Sequence, residues 1–392
     1  MKYAASNIDV KKLNRNRVFR YVISRERTSM PDIAMALGIS VPTVLQIIRK
    51  LQEAQIIQEV GEFQSTGGRK AKAIAPVQNV CYAVGIDITR NHVSMVSTNL
   101  SEKLLKHERI RKPFIYEDTY FQQITEMLEE FIQKNQIPKE KIKGVGISIP
   151  GIVDRKKNDI SYSHALNLND INFKGYLNYI PYQTAILNDA NAAAMTECVG
   201  GGLSGNMTYL FLSNTVGGAI FAQQEMSKME YSNLNNYDNW SGNIYMGNHW
   251  RSGEFGHMVI RPEGNTCYCG KKGCLDAYCS ALRLSDLANG SLEQFFKGLE
   301  KGNRQYEKVW EEYLDNLAIA VDNLQMCFDS DIVLGGYVGG YMKPYIQKFQ
   351  KKVAEKNIFG NTGEYVRPCR YLVEAAALGA AIYQIEQYID SI

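Results

Sequence analysis

The chain has 392 residues, 45% hydrophobic and 22% charged, which is enough apolar material for more than one core and for two or three domains. No run of eighteen apolar residues occurs, and the start, MKYAASNIDVKKLNRNR, has no apolar stretch followed by a small-residue cleavage site, so neither a membrane span nor a secretion signal is expected and the cytoplasm follows. The formal net charge of +3 hides an asymmetry: residues 1–80 carry thirteen Lys and Arg against six Asp and Glu, and a basic head on an acidic body points to a polyanionic partner.

Within that head, residues 14–25 set Val18 with Val22 and Phe19 with Ile23, an apolar face at helical spacing. Ser29, Pro31 and Asp32 then read as an N-cap, a first-turn proline and an acid at the third position, with Gly38 as the stop, so residues 31–37 form a second helix. Ser40 caps a third helix with Pro42 in its first turn; Val44, Ile47, Ile48 and Leu51 fall on one face. Thr43, Gln46, Arg49 and Lys50 are left outward. Two helices joined by the tight Gly38-Ile39-Ser40 turn make a helix-turn-helix, and Ser40 with those four residues is the set expected to meet base edges and phosphates of double-stranded DNA. Residues 56–60 and 71–74 read as two short strands around Gly67 and Gly68, a wing whose Arg69 and Lys70 can enter a minor groove or clamp a backbone. The competing interpretation is a small helical interaction module whose basic residues only solvate it.

Past residue 80, strands and helices alternate in an α/β manner. Residues 82–88 are a β-rich apolar run ending in an acid, with a return strand to residue 99. Further strands are expected at 143–150, 184–188, 209–213 and 332–336, and helices at 306–328 and 375–388. Asn188 and Asp189 stand at a strand-to-helix junction, where an Asx pair either caps the helix or projects into a cleft. The stretch GEFGHMVIRPEGNTCYCGKKGCLDAYC, residues 253–279, gathers His257, Cys267, Cys269 and Cys274 among turn-forming glycines. One imidazole and three thiolates are the ligand set of a closed tetrahedral Zn2+ site, structural and not catalytic because no position is left for water. Cys81, Cys198, Cys279, Cys327 and Cys369 are scattered in apolar or helical contexts and are expected as reduced core thiols.

The same motif, Gly-Glu-Phe-Gly-His followed by Cys-x-Cys-Gly-x-x-Gly-Cys-x-acid, resembles the signature of the ROK family, which contains sugar kinases and sugar-responsive repressors. The resemblance covers the last four-fifths of the chain and implies a two-lobed actin-like (ribonuclease-H-like) ATPase-type domain over residues 81–392, following a winged helix-turn-helix over residues 1–80. It implies that Asn188, Asp189, Glu254, His257 and Asp276 contact a sugar, with Asp189 at the position of the kinase base and Asp276 one methylene shorter than the usual glutamate. The stretch TGGRK resembles the wing that ROK repressors carry. ROK kinases follow the acid at the end of their first strand with a Gly-Gly-Thr turn that wraps nucleotide phosphates; here Asp87 is followed by Ile88-Thr89-Arg90-Asn91, and the cradle has lost its glycines. Asp87 is then either a strand-end acid or a magnesium-binding remnant. Residues 223–243 look like an insertion over either the cleft or a subunit contact.

These features lead to the expectation of a non-enzymatic, sugar-responsive repressor of carbohydrate metabolism genes: a homodimer or homotetramer that binds an operator through paired heads and a sugar or sugar derivative through the body. The alternative is an ATP-dependent sugar kinase with an added DNA-binding head.

Overall fold

In the computed structural model, residues 7–64, 70–198, 205–222, 244–360 and 362–392 are described. The head is built from α1 (Asn7–Ile23), α2 (Met30–Leu37), α3 (Val41–Glu53) and an antiparallel pair, β1 (Ile57–Glu62) and β2 (Lys72–Pro76). Local chemistry sets each boundary. The Ser29 side chain accepts from the Asp32 amide, Gly38 ends α2 at φ 63°, and Ser40 accepts from the Thr43 amide. Val44, Ile47, Ile48 and Leu51 are all buried, against Val18, Phe19, Val22 and Ile33. α1 starts seven residues before the apolar stripe predicts, at Asn7 and not at residue 14. Lys11, Lys12 and Leu13 are good helix formers, which favours the longer helix.

The body has two sheets that define two lobes. The first, in the order β10-β6-β3-β4-β5, comprises β3 (Tyr82–Ile88), β4 (His92–Asn99), β5 (Lys106–Arg111), β6 (Ile142–Ile149) and β10 (Thr184–Asn188). β3 pairs antiparallel with β4 and parallel with β6, and α4 (Asp118–Lys134) covers one face with Phe121, Ile124, Leu128 and Phe131 buried. A small antiparallel sheet of β7 (Ile152–Asp154), β8 (Asp159–Ser163) and β9 (Leu168–Asn172) follows β6. The second lobe holds β11 (Met207–Leu212), β12 (Val216–Phe221), β13 (Asp331–Gly335) and β14 (Val366–Pro368) in the order β12-β11-β13-β14, packed against the long helix Arg304–Phe328.

The closing helix Ala375–Ser391 joins the parts. It lies on the first sheet and against the helix Asp189–Cys198, so close that a Cβ on Gly379 would stand 1.6 Å from the Ala192 carbonyl oxygen. Its far end receives the head: Arg20 pairs with Glu386 and, at 3.1 Å, with Asp390. Val18, Phe19 and Ile74 belong to the same apolar core as Ala377 and Ile385, so head and body are packed together and not strung on a linker.

The cysteine expectation needs one correction. Cys81 and Cys279 are buried and Cys198 and Cys369 half-buried, but Cys327 is exposed, because it lies with Met326 on the outer face of its helix while Leu324 and Phe328 face the core. No helix among the described residues is long and apolar enough to cross a membrane.

Candidate cleft and metal centre

Between the lobes lies a cleft of about 260 Å³, at the small end of the range for organic ligands. Asn188 ends β10 and Asp189 opens the next helix, so both side chains reach the cleft from the first lobe. Asn188 is held at both ends of its amide: Nδ2 donates to the Gly151 carbonyl at 2.9 Å and Oδ1 accepts from the Asn191 amide at 2.9 Å. The cap and the cleft-facing roles coexist in this one residue. Asp189 accepts from the Ala190 amide at 2.9 Å, yet burial pushes its carboxyl up to about 6.

From the second lobe comes Glu254. Gly253 precedes it at φ 85°, where a Cβ would stand 2.1 Å from the Gly218 carbonyl oxygen, so only glycine lets this segment lie on β12. Burial first, then the charge of Asp189, raises Glu254 to about 7, partly offset by Arg251. Asp87 does not line the cleft. It is buried beneath it, accepting from the Ser148 hydroxyl at 2.7 Å, and is pushed up to about 7 by burial and, less strongly, by Asp189. Asp276 is also outside the lining: its Oδ2 accepts from the Val216 amide at 2.6 Å and so pins the start of β12. The turn after β3 is a closed hairpin in which the Thr89 amide and hydroxyl both donate to the His92 carbonyl, each at 2.9 Å.

His257, Cys267, Cys269 and Cys274 converge as their spacing predicts, with ligand atoms all within 4.8 Å of one another. His257 Nδ1 is 3.9 Å from Cys267 Sγ, and the sulfurs of Cys269 and Cys274 are 3.8 Å apart. A tetrahedron with Zn–S bonds of about 2.3 Å has S···S edges of roughly 3.8 Å, so the donor set fits the ion in identity and in size. Burial, then Lys271 and His164, holds His257 below the ordinary imidazole value, a shift toward the neutral form that metal ligation requires. Its Nε2 is 3.2 Å from the hydroxyl of Tyr268, and both residues line the cleft.

On the head, Ser40, Gln46, Arg49 and Lys50 are exposed and Thr43 half-exposed, on one side of α3. Ser40 and Thr43 hydroxyls lie 2.8 Å apart and share the cap. Lys70 is exposed, 3.9 Å from Glu62, while Arg69, the paired glycines of the wing and the insertion at 223–243 lie outside the described residues.

The family model for ROK matches residues 83–228 and 240–387, and that for a winged helix-turn-helix DNA-binding domain matches residues 13–58. The chain belongs to the ROK family. Among its ROK relatives, a xylose repressor of Bacillus spizizenii is 27% identical over 278 residues, covering 69% of this chain and 66% of the relative. The DNA-binding transcriptional dual regulator NagC of Escherichia coli is 25% identical over 303 residues, covering 76% of this chain and 68% of that one. The crystal structure of a ROK family transcriptional regulator, a homolog of the E. coli MLC protein, superposes with a TM-score of 0.75 at 18% identity over 97% of this chain and 98% of that chain, so the fold is shared from head to closing helix.

Sequence reasoning passed over His164, Trp250 and Tyr268, which line the cleft beside the expected residues. Tyr268 carried a usable signal: it stands between Cys267 and Cys269, two of the candidate metal ligands, so its side chain is left to point away from that cluster. His164 and Trp250 sit in irregular loops with no spacing to read.

Proposed function

We propose that this ROK protein is a sugar-responsive transcriptional regulator, a repressor of carbohydrate-metabolism genes, whose α3 face and wing bind an operator and whose cleft binds a monosaccharide or a derivative. The observation that carries this reading is a winged head packed into the core of a body that keeps the cleft residues, with Ile88-Thr89-Arg90-Asn91 after Asp87 where the kinases carry a Gly-Gly-Thr turn. Asn188, Asp189, Glu254 and His257 supply convergent donors and acceptors for vicinal hydroxyls, and Asp276 acts through the Val216 edge of the cleft. Zinc on His257, Cys267, Cys269 and Cys274 fixes the imidazole's aim and supplies no catalysis. Ser40, Thr43, Gln46, Arg49, Lys50, Arg69 and Lys70 form the DNA-facing set, in a cytoplasmic homodimer or homotetramer that presents heads in pairs. The sugar acts by binding two head arrangements unequally.

One observation favours a kinase: a carboxyl raised to about 6, as Asp189 is, suits a general base near neutral pH. Against it, the Thr89 amide that would meet a phosphate is spent on His92. A thermal-shift panel of monosaccharides and sugar phosphates, repeated on Asp189→Ala, tests the cleft. A shift that the variant loses supports the reading, and ATP-dependent turnover of any panel sugar in a coupled assay refutes it.

A further inference from the structure

Tyr268 contacts both lobes at the mouth of the cleft. Its hydroxyl is 3.2 Å from His257 Nε2, and its ring lies flat on His164, with centroids 3.9 Å apart and planes 9° from parallel. His164 comes from the loop between β8 and β9 on the first lobe, Tyr268 from the Cys267–Cys269 turn on the second, and both line the cleft. The pair therefore bridges the opening.

The chemistry of His257 gives this contact a consequence. Nδ1 faces the thiols, so Nε2, which meets the Tyr268 hydroxyl, is the ring nitrogen left for a ligand in the cleft that both residues line. With Nδ1 committed to the metal, a neutral imidazole carries its proton on Nε2 and offers one donor there, and the tyrosine oxygen accepts it. A sugar hydroxyl that seats against Asn188, Asp189 and Glu254 and reaches His257 needs that same donor. Tyr268 and the sugar compete for one N–H. The tyrosine has a route out, since it is 40% exposed and its chain neighbours are the metal-ligand cysteines, so the exchange needs only side-chain rotation.

We propose that Tyr268 is a built-in competitor and gate for the effector: in the empty cleft its hydroxyl holds His257 Nε2, an arriving sugar hydroxyl displaces it, and the displacement breaks the Tyr268–His164 stack that ties the two lobes. This rests on the carbohydrate reading of the cleft and adds the step by which occupancy is felt between lobes. It also makes the residue between the two cysteines a determinant of affinity.

The chain has five histidines, so imidazole resonances of the zinc-loaded full-length protein can be assigned by single substitutions. In the ligand-free protein, Tyr268→Ala is expected to remove the ring-current shift from His164, and Tyr268→Phe to move the His257 Nε2–H signal while leaving His164 in place. Titrated with D-xylose and with N-acetyl-D-glucosamine, the wild type is expected to lose the His164 ring-current shift as His257 responds. Because Tyr268→Phe removes a competing hydrogen bond, it is expected to bind the responding sugar about three- to tenfold more tightly. A sugar that moves His257 but leaves His164 unchanged overturns the gate, as does equal or weaker binding by Tyr268→Phe. Unchanged ligand-free spectra in both variants overturn it whatever binds. If neither these sugars nor any other in the panel moves His257, the carbohydrate reading itself is overturned.

Discussion

Replacing Asp87 with Asn should stabilise the protein, and more so as the pH rises. Asp87 is 6% exposed and accepts from Ser148, an interaction that the isosteric amide oxygen keeps. Burial and then Asp189 raise its carboxyl from 3.8 to about 7. The folded chain therefore holds this proton to higher pH than the unfolded chain does. The group's contribution is fully present below about pH 4 and is lost as pH climbs through about 7. A shift of roughly three units is worth about 4 kcal/mol by pH 8, with less than half of that already lost at pH 5. Asn carries no such penalty. Differential scanning calorimetry should find Asp87→Asn melting higher than the wild type by on the order of 5–10 °C at pH 8, and by clearly less at pH 5. A variant that melts lower, or whose advantage does not grow between pH 5 and pH 8, refutes the picture of a buried acid kept beneath the cleft at a cost to stability.

Further predictions concern the metal, the helix contact, the head joint and the DNA face. Removal of metal by a chelator, or Cys269→Ser, should lower the melting temperature and abolish sugar-dependent thermal shifts, with one zinc per chain in the untreated protein by elemental analysis. Gly379→Ala places a methyl within 1.6 Å of the Ala192 carbonyl oxygen and should cost about 2–4 kcal/mol, read as a lower denaturant midpoint. Arg20→Met leaves Glu386, whose side chain is 2% exposed, without its cation; it should destabilise by about 3–5 kcal/mol, while Arg20→Met with Glu386→Met restores most of the loss. Arg49→Ala and Lys50→Ala should each weaken binding to duplex DNA of random sequence and lower the salt slope by about one, measured by fluorescence anisotropy across a salt series.

The parts legible in the sequence were those whose physics is local. The caps at Ser29 and Ser40, the apolar stripe of α3 and the spacing of His257 with its three cysteines each depend on a few neighbouring residues, and each lies where expected. What lay beyond reading depends on partners far apart in the chain. Arg20 meets Glu386 and Asp390 across more than 360 residues, so nothing near either end announces that the head is packed against the closing helix. β8 and β9, DISYS and LNDIN, are too polar and too rich in Asp and Asn to read as strands; pairing with each other makes them so. Asp276 is matched to a sugar-contacting position by motif, and only the fold reveals that its Oδ2 accepts from the Val216 amide.

In the proposed regulation, sugar in the zinc-braced cleft changes how the head holds DNA. Its most direct test is a binding titration with the full-length zinc-loaded protein on a duplex selected by that protein from a random-sequence library, run with and without each panel sugar. At least one sugar should change the dissociation constant about tenfold, and Asp189→Ala should bind the duplex while ignoring that sugar. Sequence-selective DNA binding that no sugar alters, while the same sugars are seen to occupy the cleft, would contradict it.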